Sequence, residues 1–128
     1  KTGWVKLFRT HNPQYRDGEQ MRDFIYVRDV ANICSWLMQN KPENGLYNAG
    51  TGKARSFKDL VKAIFDTLGL AERIEYIDTP EDIRDKYQYF TEADMAKLLA
   101  TGYDIPFHTL EAGIRDYVGN FLEKGSYF

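Results

Sequence analysis

The 128-residue sequence contains one cysteine, two histidines and four prolines, and it has no long uncharged apolar run. Cys34 alone cannot form an internal disulfide, which is typical of a chain that works in the cytoplasm. His11 and His108 lie far apart without ligand spacing around them, so no metal site is predicted. The apolar runs are too short to span a bilayer. The sequence does not start with a positively charged segment followed by an apolar one, so no signal peptide is predicted.

The sequence also has no large excess of positive or negative charge. It contains 17 Lys and Arg and 19 Asp and Glu, which gives a net charge of −2. Such a balance gives no general attraction to nucleic acid or to an anionic membrane, so neither is predicted as a partner. The sequence begins with Lys1 and enters a strand pattern almost at once. We therefore expect a piece of a longer polypeptide, with a trimmed or disordered terminus as the alternative.

What the sequence does contain is a strand and helix pattern with 15% aromatic residues, enough for the core of one α/β domain over residues 1–128. We see no internal domain boundary and no repeats. Alternating and apolar runs predict strands at 4–8, 22–27, 46–50 and 73–78.

Helical spacing and capping residues predict four amphipathic helices. The clearest covers residues 57–68, with Ser56 and Asp59 as a capping box and Gly69 as its stop. Asp29 is expected to cap a helix over about 30–39, and a last helix is expected from near Thr109. The fourth is a short helix capped by Thr91 and ended by Gly102, with inward side chains at Met95, Leu98 and Leu99.

The turn Gly50-Thr51-Gly52 lies between a predicted strand and a predicted helix, where backbone N–H groups can face a phosphate. The dinucleotide fingerprint, however, needs a third glycine where Arg55 stands, and no acidic residue is suitably placed about twenty residues on. A Walker A loop also fails, because Lys53 is followed by Ala54. We interpret the turn as a conformational one.

Complete catalytic sets are not recognised in the sequence. No glycine elbow supports a Ser-His-Asp arrangement. No tyrosine is followed four residues later by lysine, the pair that short-chain oxidoreductases use for proton transfer.

Arginine and aromatic residues carry the clearest binding chemistry. Arg22 stands beside Asp23 at the start of the 22–27 segment, and Arg84 and Tyr87 lie in the polar-aromatic turn "DIRDKYQYF". Arginine suits bidentate recognition of a diphosphate, and a tyrosine hydroxyl can share the contact. Phe8, at the end of the first strand, can present its ring to a nucleobase. Other roles stay open: a surface Arg22–Asp23 ion pair, and core aromatic rings at Phe8, Tyr87 and Tyr89.

Taken in order, several segments resemble the C-terminal part of extended short-chain dehydrogenase/reductases that act on nucleotide-diphosphate sugars. They are "KLF", "MRDFIYVRDVA", "GLYNAGTGKARSFKDLV" and "RDKYQYFTEADMAKLLATGYDIPFHTLEAGIRDYVGNFL". Within that superfamily the tail is similar to the ADP-L-glycero-D-manno-heptose 6-epimerase family of lipopolysaccharide heptose precursor synthesis. The resemblance covers essentially the whole chain.

This resemblance implies a small mixed α/β substrate-binding domain and, outside this sequence, an N-terminal Rossmann domain that binds NADP. It also implies a nucleotide-diphosphate sugar, ADP-heptose, as the substrate, and a homo-oligomer for the full-length protein. The cofactor turn and the Tyr-x-x-x-Lys pair are absent here, so this piece is expected to be inactive alone. Two alternatives stay open: the same domain of another nucleotide-sugar epimerase, dehydratase or reductase, and a standalone non-catalytic binding module.

Individual roles are implied by the resemblance as well. Arg22 matches the residue that holds the substrate diphosphate, Tyr87 matches a substrate-binding tyrosine, and Arg84 has only a general counterpart. The segment that lines the nucleotide end of the substrate pocket is matched by Phe8, Arg9, Thr10 and His11. The loop that contains these last residues is longer here than in the heptose enzymes.

Overall fold

The computed structural model of the protein describes residues 3–126, which form short strands and five α-helices. The strands are β1 (Val5–Phe8), β2 (Met21–Arg22), β3 (Arg55–Ser56) and β4 (Ile74–Ile77). The helices are α1 (Val27–Asn40), α2 (Phe57–Leu68), α3 (Glu81–Arg84), α4 (Ala96–Ala100) and α5 (Leu110–Tyr117), which continues as a π-helical segment, Val118–Leu122. The predicted mixed α/β class is confirmed. Within the described range, every helix is too short or too polar to cross a membrane.

The strands form two pairs that are joined by a buried glutamine. β1 runs parallel to β4, with Phe8 opposite Ile77 at their carboxyl ends, and β2 runs antiparallel to β3. Gln20 is 1% exposed. The side-chain NH₂ group of Gln20 donates to the Phe8 carbonyl at 3.2 Å, and the backbone carbonyl of Gln20 accepts from the Phe57 N–H at 3.1 Å. The end of β1 is therefore fixed to the start of α2.

Two apolar clusters form the core. One packs α1 against the α4 region through four buried side chains: Ile33, Met95, Leu98 and Tyr103. The other packs α2 against α5 and its π-helical extension through Ala63, Ile114 and Val118. Ile33, Met95, Leu98, Ile114 and Val118 lie on the apolar stripes that helical spacing predicts, whereas Ala63 and Tyr103 do not.

The predicted capping of α2 is confirmed. The Ser56 hydroxyl accepts from the Asp59 N–H at 3.0 Å, and the Asp59 carboxylate accepts from the Ser56 N–H at 3.2 Å. Gly69 ends the helix with φ of +64°, a left-handed conformation that glycine adopts without a steric penalty. The last helix begins next to Thr109, as predicted, and the Thr109 hydroxyl caps it by accepting from the Ala112 N–H at 3.1 Å.

Replacement of the α2 cap tests the local contribution of this motif. We expect Ser56→Ala to lower the free energy of unfolding by about 1 kcal/mol, because one N–H of the first turn loses its acceptor. Urea unfolding measures the difference. Ser35→Ala, an exposed serine within α1, is the matched control and should change stability by less than about 0.5 kcal/mol. An equal loss in both variants would contradict a capping role.

The strand predicted over 22–27 is wrong beyond Arg22, and α1 begins earlier than expected. Residues 23–26 form no ladder, and Tyr26, whose backbone is extended, is the N-cap position of α1. Asp29, predicted as the cap, lies inside the first turn. Its carboxylate accepts from the His108 N–H at 2.9 Å and contacts His108 Nδ1 at 2.6 Å. A contact made across the fold therefore replaces the local cap.

The buried strand predicted over 46–50 is also wrong. These residues form no ladder, and the Leu46 side chain is 93% exposed. Lys97 Nζ donates to the Leu46 carbonyl at 2.8 Å, and the Tyr47 hydroxyl donates to the Glu43 carbonyl. Side chains thus hold this segment on the surface of the described chain.

The short helix predicted after Thr91 begins later, at Ala96. The Asp94 carboxylate accepts from the Ala96 N–H at 2.9 Å, which favours a start at this point. Leu98 is buried as predicted, but Leu99 is 50% exposed, so its inward placement is wrong.

Candidate functional site

The candidate site lies where the parallel strands β1 and β4 end. The Arg9 N–H donates to the Ile77 carbonyl at 2.7 Å, and the Thr79 hydroxyl donates to the Arg9 carbonyl at 3.0 Å. Thr79 is 1% exposed, and its carbonyl accepts from an Arg84 guanidinium nitrogen at 3.0 Å. One buried threonine therefore connects the backbone at Arg9 to Arg84. The carboxyl ends of neighbouring parallel strands are the usual ligand-binding edge of α/β sheets.

Arg22 extends from β2 over two aromatic rings. Its guanidinium carbon lies 5.5 Å from the centre of the Tyr87 ring and 5.8 Å from that of Phe57. One of its nitrogens donates to the Met21 carbonyl at 2.8 Å. Among residues 3–126, no carboxylate forms a salt bridge with this half-buried guanidinium, so the alternative of an Arg22–Asp23 ion pair is wrong. The remaining N–H groups of the planar fork are suited to a bound anion.

A row of four rings extends from β1 to the loop 9–20, and we call it the aromatic row: Phe8, Tyr87, Tyr89 and Tyr15. Phe8 and Tyr87 meet edge to face at 6.0 Å between ring centres, and Tyr87 and Tyr89 do so at 5.4 Å. Tyr89 and Tyr15 are stacked at 5.6 Å. Burial raises the pKa of Tyr87, and the nearby Arg22 charge opposes this shift. The Tyr87 hydroxyl thus stays protonated at neutral pH and remains a hydrogen-bond donor.

The loop 9–20 folds over the end of the aromatic row. The Thr10 N–H donates to the Asp17 carboxylate at 2.8 Å, which closes the loop on itself. The His11 N–H donates to the Tyr89 hydroxyl at 3.2 Å. Arg9 directs its side chain to the exposed Asp78, with 3.7 Å between charged atoms. The loop therefore presents Arg9, Thr10 and His11 beside the row.

The structure brings the sequence-predicted site residues to one side of the molecule. Phe8, Arg22 and Tyr87 lie in one contact group, and Arg9 and Arg84 share Thr79. Thr10 and His11 are placed by loop hydrogen bonds. Their roles toward a substrate remain predictions.

Sequence reasoning missed three supporting residues: Gln20, Thr79 and Phe57. Gln20 and Thr79 are buried polar side chains, and neither lies in a periodic pattern. Their partners are the backbone carbonyls of Phe8 and Arg9, which are 12 and 70 residues away in the sequence. Phe57 belongs to the apolar stripe of α2, so the sequence indicates a core residue and gives no sign of its contact with Arg22. The only available signal was the position of Thr79 directly after a predicted strand.

The turn Gly50-Thr51-Gly52 has an internal anion as its partner. The Asp23 carboxylate accepts from the Thr51 N–H at 2.8 Å and the Gly52 N–H at 2.9 Å. It also accepts from the Thr51 hydroxyl and from the Ala93 N–H at 3.1 Å. Burial would raise the pKa of Asp23, but these hydrogen bonds together lower it. The donors that a phosphate would need are therefore already used, which supports the conformational interpretation of the turn.

Close packing explains the first glycine of the turn. A Cβ atom at Gly50 would lie 2.4 Å from the Ala93 Cβ and 2.6 Å from an Asp23 carboxylate oxygen. Gly52 has φ of +69°, which disfavours residues with a side chain. Both glycines thus serve the Asp23 contact.

Comparison with known proteins shows which proteins the chain is similar to. A model of the NAD dependent epimerase/dehydratase family matches residues 6–50. The ADP-L-glycero-D-manno-heptose-6-epimerase of Nitratidesulfovibrio vulgaris (strain Hildenborough) is 51% identical over 120 residues, which are 94% of this chain and 37% of that protein. The chain thus spans little more than a third of the length of this relative.

Solved structures give the same result. The Helicobacter pylori ADP-L-glycero-D-manno-heptose-6-epimerase superposes with a TM-score of 0.70 at 32% identity, over 91% of this chain and 32% of that one. The Thermus thermophilus UDP-glucose 4-epimerase, solved in complex with NAD, superposes with a TM-score of 0.70 at 26% identity, over 88% and 33%.

Fold and sequence together define the class: the chain resembles the C-terminal part of extended short-chain dehydrogenase/reductases, as predicted. Within that class it resembles the ADP-L-glycero-D-manno-heptose 6-epimerases.

Proposed function

We propose that residues 1–128 form the nucleotide-sugar-binding domain of an ADP-L-glycero-D-manno-heptose 6-epimerase that serves lipopolysaccharide heptose synthesis. The observation that carries the proposal is the Arg22 guanidinium, which is half-buried on the Tyr87 and Phe57 rings. A cation held in this way, without a carboxylate partner in the described chain, fits a substrate diphosphate. The similarity to heptose epimerases supplies the identity of the sugar nucleotide.

In this proposal the chain binds and orients the substrate. The remaining N–H groups of Arg22 donate hydrogen bonds to the diphosphate oxygens, and the protonated Tyr87 hydroxyl donates a further one beside them. Phe8 and the segment Arg9, Thr10 and His11 line the nucleotide end. Arg84 adds positive charge from the last residue of α3. Together these contacts hold the nucleotide sugar in one orientation, which lowers the entropic cost of the reaction.

The cofactor belongs to the part of the protein that the relatives have in addition to this chain. In the described residues the one glycine turn of suitable type is bound by Asp23, so these residues do not fit a dinucleotide. NADP bound elsewhere would supply hydride removal from the sugar and hydride return on the opposite face. This division of labour leaves the isolated chain without turnover.

Exposed apolar side chains favour a domain of a larger protein over a standalone module. Met38 is 76% exposed and Leu46 is 93% exposed. We propose that the Rossmann domain of the same protein covers these two side chains. We further propose that the full-length protein is a homo-oligomer. We also propose that the full-length protein works in the cytoplasm.

The principal alternative is the same domain in another nucleotide-sugar epimerase, dehydratase or reductase. The superposition on a UDP-glucose 4-epimerase is the observation that favours it. The two candidates share the Arg22 site and differ in the loop 9–20 and in the sugar end of the pocket.

Calorimetric titration of the full-length protein separates these functions. We expect ADP-glycero-manno-heptose to bind at least about tenfold more tightly than UDP-glucose or GDP-mannose, a difference of about 1.4 kcal/mol. Tighter binding of a UDP- or GDP-sugar would support the alternative enzyme. Binding of none of the three would overturn the nucleotide-sugar function itself.

A further inference from the structure

Tyr89 has no assigned contact with substrate, yet it touches three parts of the candidate site. Its hydroxyl accepts from the His11 N–H at 3.2 Å. Its ring is stacked on Tyr15 at 5.6 Å and meets Tyr87 edge to face at 5.4 Å. Its carbonyl accepts from the Met21 N–H at 2.8 Å, directly before Arg22.

The loop 9–20 depends on this tyrosine for its attachment. Within residues 3–126, the hydrogen bonds of residues 10–16 are local to the loop, apart from the one between His11 and Tyr89. Tyr15 supplies the second contact, because its ring covers Tyr89. Without these two contacts the loop would be held only near Arg9 at one end and over 18–20 at the other, where the buried Gly18 accepts from the Lys58 N–H at 2.9 Å and Gln20 binds Phe8. A long loop held only at its ends samples many conformations.

We infer that Tyr89 is a positioning residue that fixes the loop 9–20 against Tyr87, so that the nucleotide end and the diphosphate end form one pocket. The inference rests on the proposed function. A loop that is already ordered before binding loses less conformational entropy when substrate binds. Tyr89 therefore acts on affinity through the loop and leaves the hydride chemistry unchanged.

The test uses the full-length protein, ADP-glycero-manno-heptose and two substitutions at one position. Tyr89→Ala removes the ring and the hydroxyl, whereas Tyr89→Phe keeps the ring stacked on Tyr15 and removes only the acceptor for His11. We expect Tyr89→Ala to raise KM about tenfold with kcat within about twofold, and Tyr89→Phe to raise KM about threefold. Tyr117→Ala, which removes a partly exposed tyrosine ring from α5, should leave KM unchanged.

Limited trypsin digestion gives a readout that does not depend on substrate. Arg9 and Arg16 are exposed cleavage points in the loop. We expect cleavage there to become about tenfold faster in Tyr89→Ala, and also in Tyr15→Ala, because both remove the same ring stack. If Tyr89→Ala does not fold, Tyr89→Phe and Tyr15→Ala carry the test.

The possible outcomes separate the two proposals. If Arg22→Ala abolishes binding while the Tyr89 variants leave KM and loop cleavage unchanged, the positioning role is overturned and the proposed function stands. A lowered kcat at constant KM would also overturn it. If the wild-type protein does not bind the sugar nucleotide, the proposed function fails, and loop cleavage alone then decides whether Tyr89 fixes the loop.

Discussion

Arg22→Ala in the full-length protein is expected to weaken binding of the nucleotide sugar by about 2–4 kcal/mol, roughly 30- to 700-fold in Kd. The loss is large because the guanidinium lies half-buried on the Tyr87 and Phe57 rings, where a bound diphosphate would lose its only close cation from β2. Arg22→Lys should fall between wild type and alanine, since an ammonium keeps the charge but not the bidentate fork or the ring contact. Calorimetric titration measures both variants.

The control for this prediction lies at the other end of the β1–β4 pair. Arg73 is exposed and directly precedes β4, so it stands at the amino end of the strand, away from the site. Arg73→Ala changes the net charge by the same amount and should leave Kd unchanged. Equal affinity of Arg22→Ala and wild type would remove the diphosphate role from Arg22. A similar loss in both variants would indicate a general charge effect instead of a site.

Local chemistry explains which parts of the fold could be predicted. The capping box of α2 needs only Ser56 and Asp59, three residues apart, and the left-handed stop at Gly69 needs only glycine. These contacts form within one or two helical turns, so the sequence contains both partners at a fixed spacing. The strands β1 and β4 were likewise found from their apolar alternation.

Long-range side-chain contacts explain what could not be predicted. Asp29 looks like a cap in the sequence, but its partner His108 lies 79 residues away. Asp23 looks like the partner of its neighbour Arg22, but it binds groups at positions 51, 52 and 93. Such partners are chosen by the folded arrangement, and no spacing rule connects them.

The candidate site likewise contains residues that could be predicted from the sequence and residues that could not. Residue type was sufficient to single out Arg22 and Tyr87, because few side chains suit a diphosphate. Gln20 and Thr79 donate hydrogen bonds to the backbone carbonyls of Phe8 and Arg9, and such groups need a partner when they are buried. This supporting role can be recognised only in the folded chain.

Asp23→Ala is expected to lower the free energy of unfolding by about 3–5 kcal/mol, because the N–H groups of Thr51, Gly52 and Ala93 lose their common acceptor. Urea unfolding followed by circular dichroism measures the loss. Asp66→Ala is the matched control: that carboxylate is exposed on α2, so its removal should leave the unfolding midpoint nearly unchanged. Comparable losses in both variants would contradict the proposed importance of the Asp23 contacts.

The pH dependence of the same contact has a definite sign. Hydrogen bonds lower the pKa of Asp23 in the folded state below its ordinary value of 3.8. The stabilisation is therefore fully present above that value and is lost as the pH falls through the lower, folded pKa. The neutral amide of an Asp23→Asn variant imitates the protonated acid, so the stability deficit of this variant relative to wild type should be constant near pH 7 and shrink below about pH 4. Asp59 and Glu111, whose pKa values are also lowered, are present in both proteins and cancel in the comparison. A deficit that is equal at neutral and acid pH would show that shape, and not charge, is what the glycine turn requires.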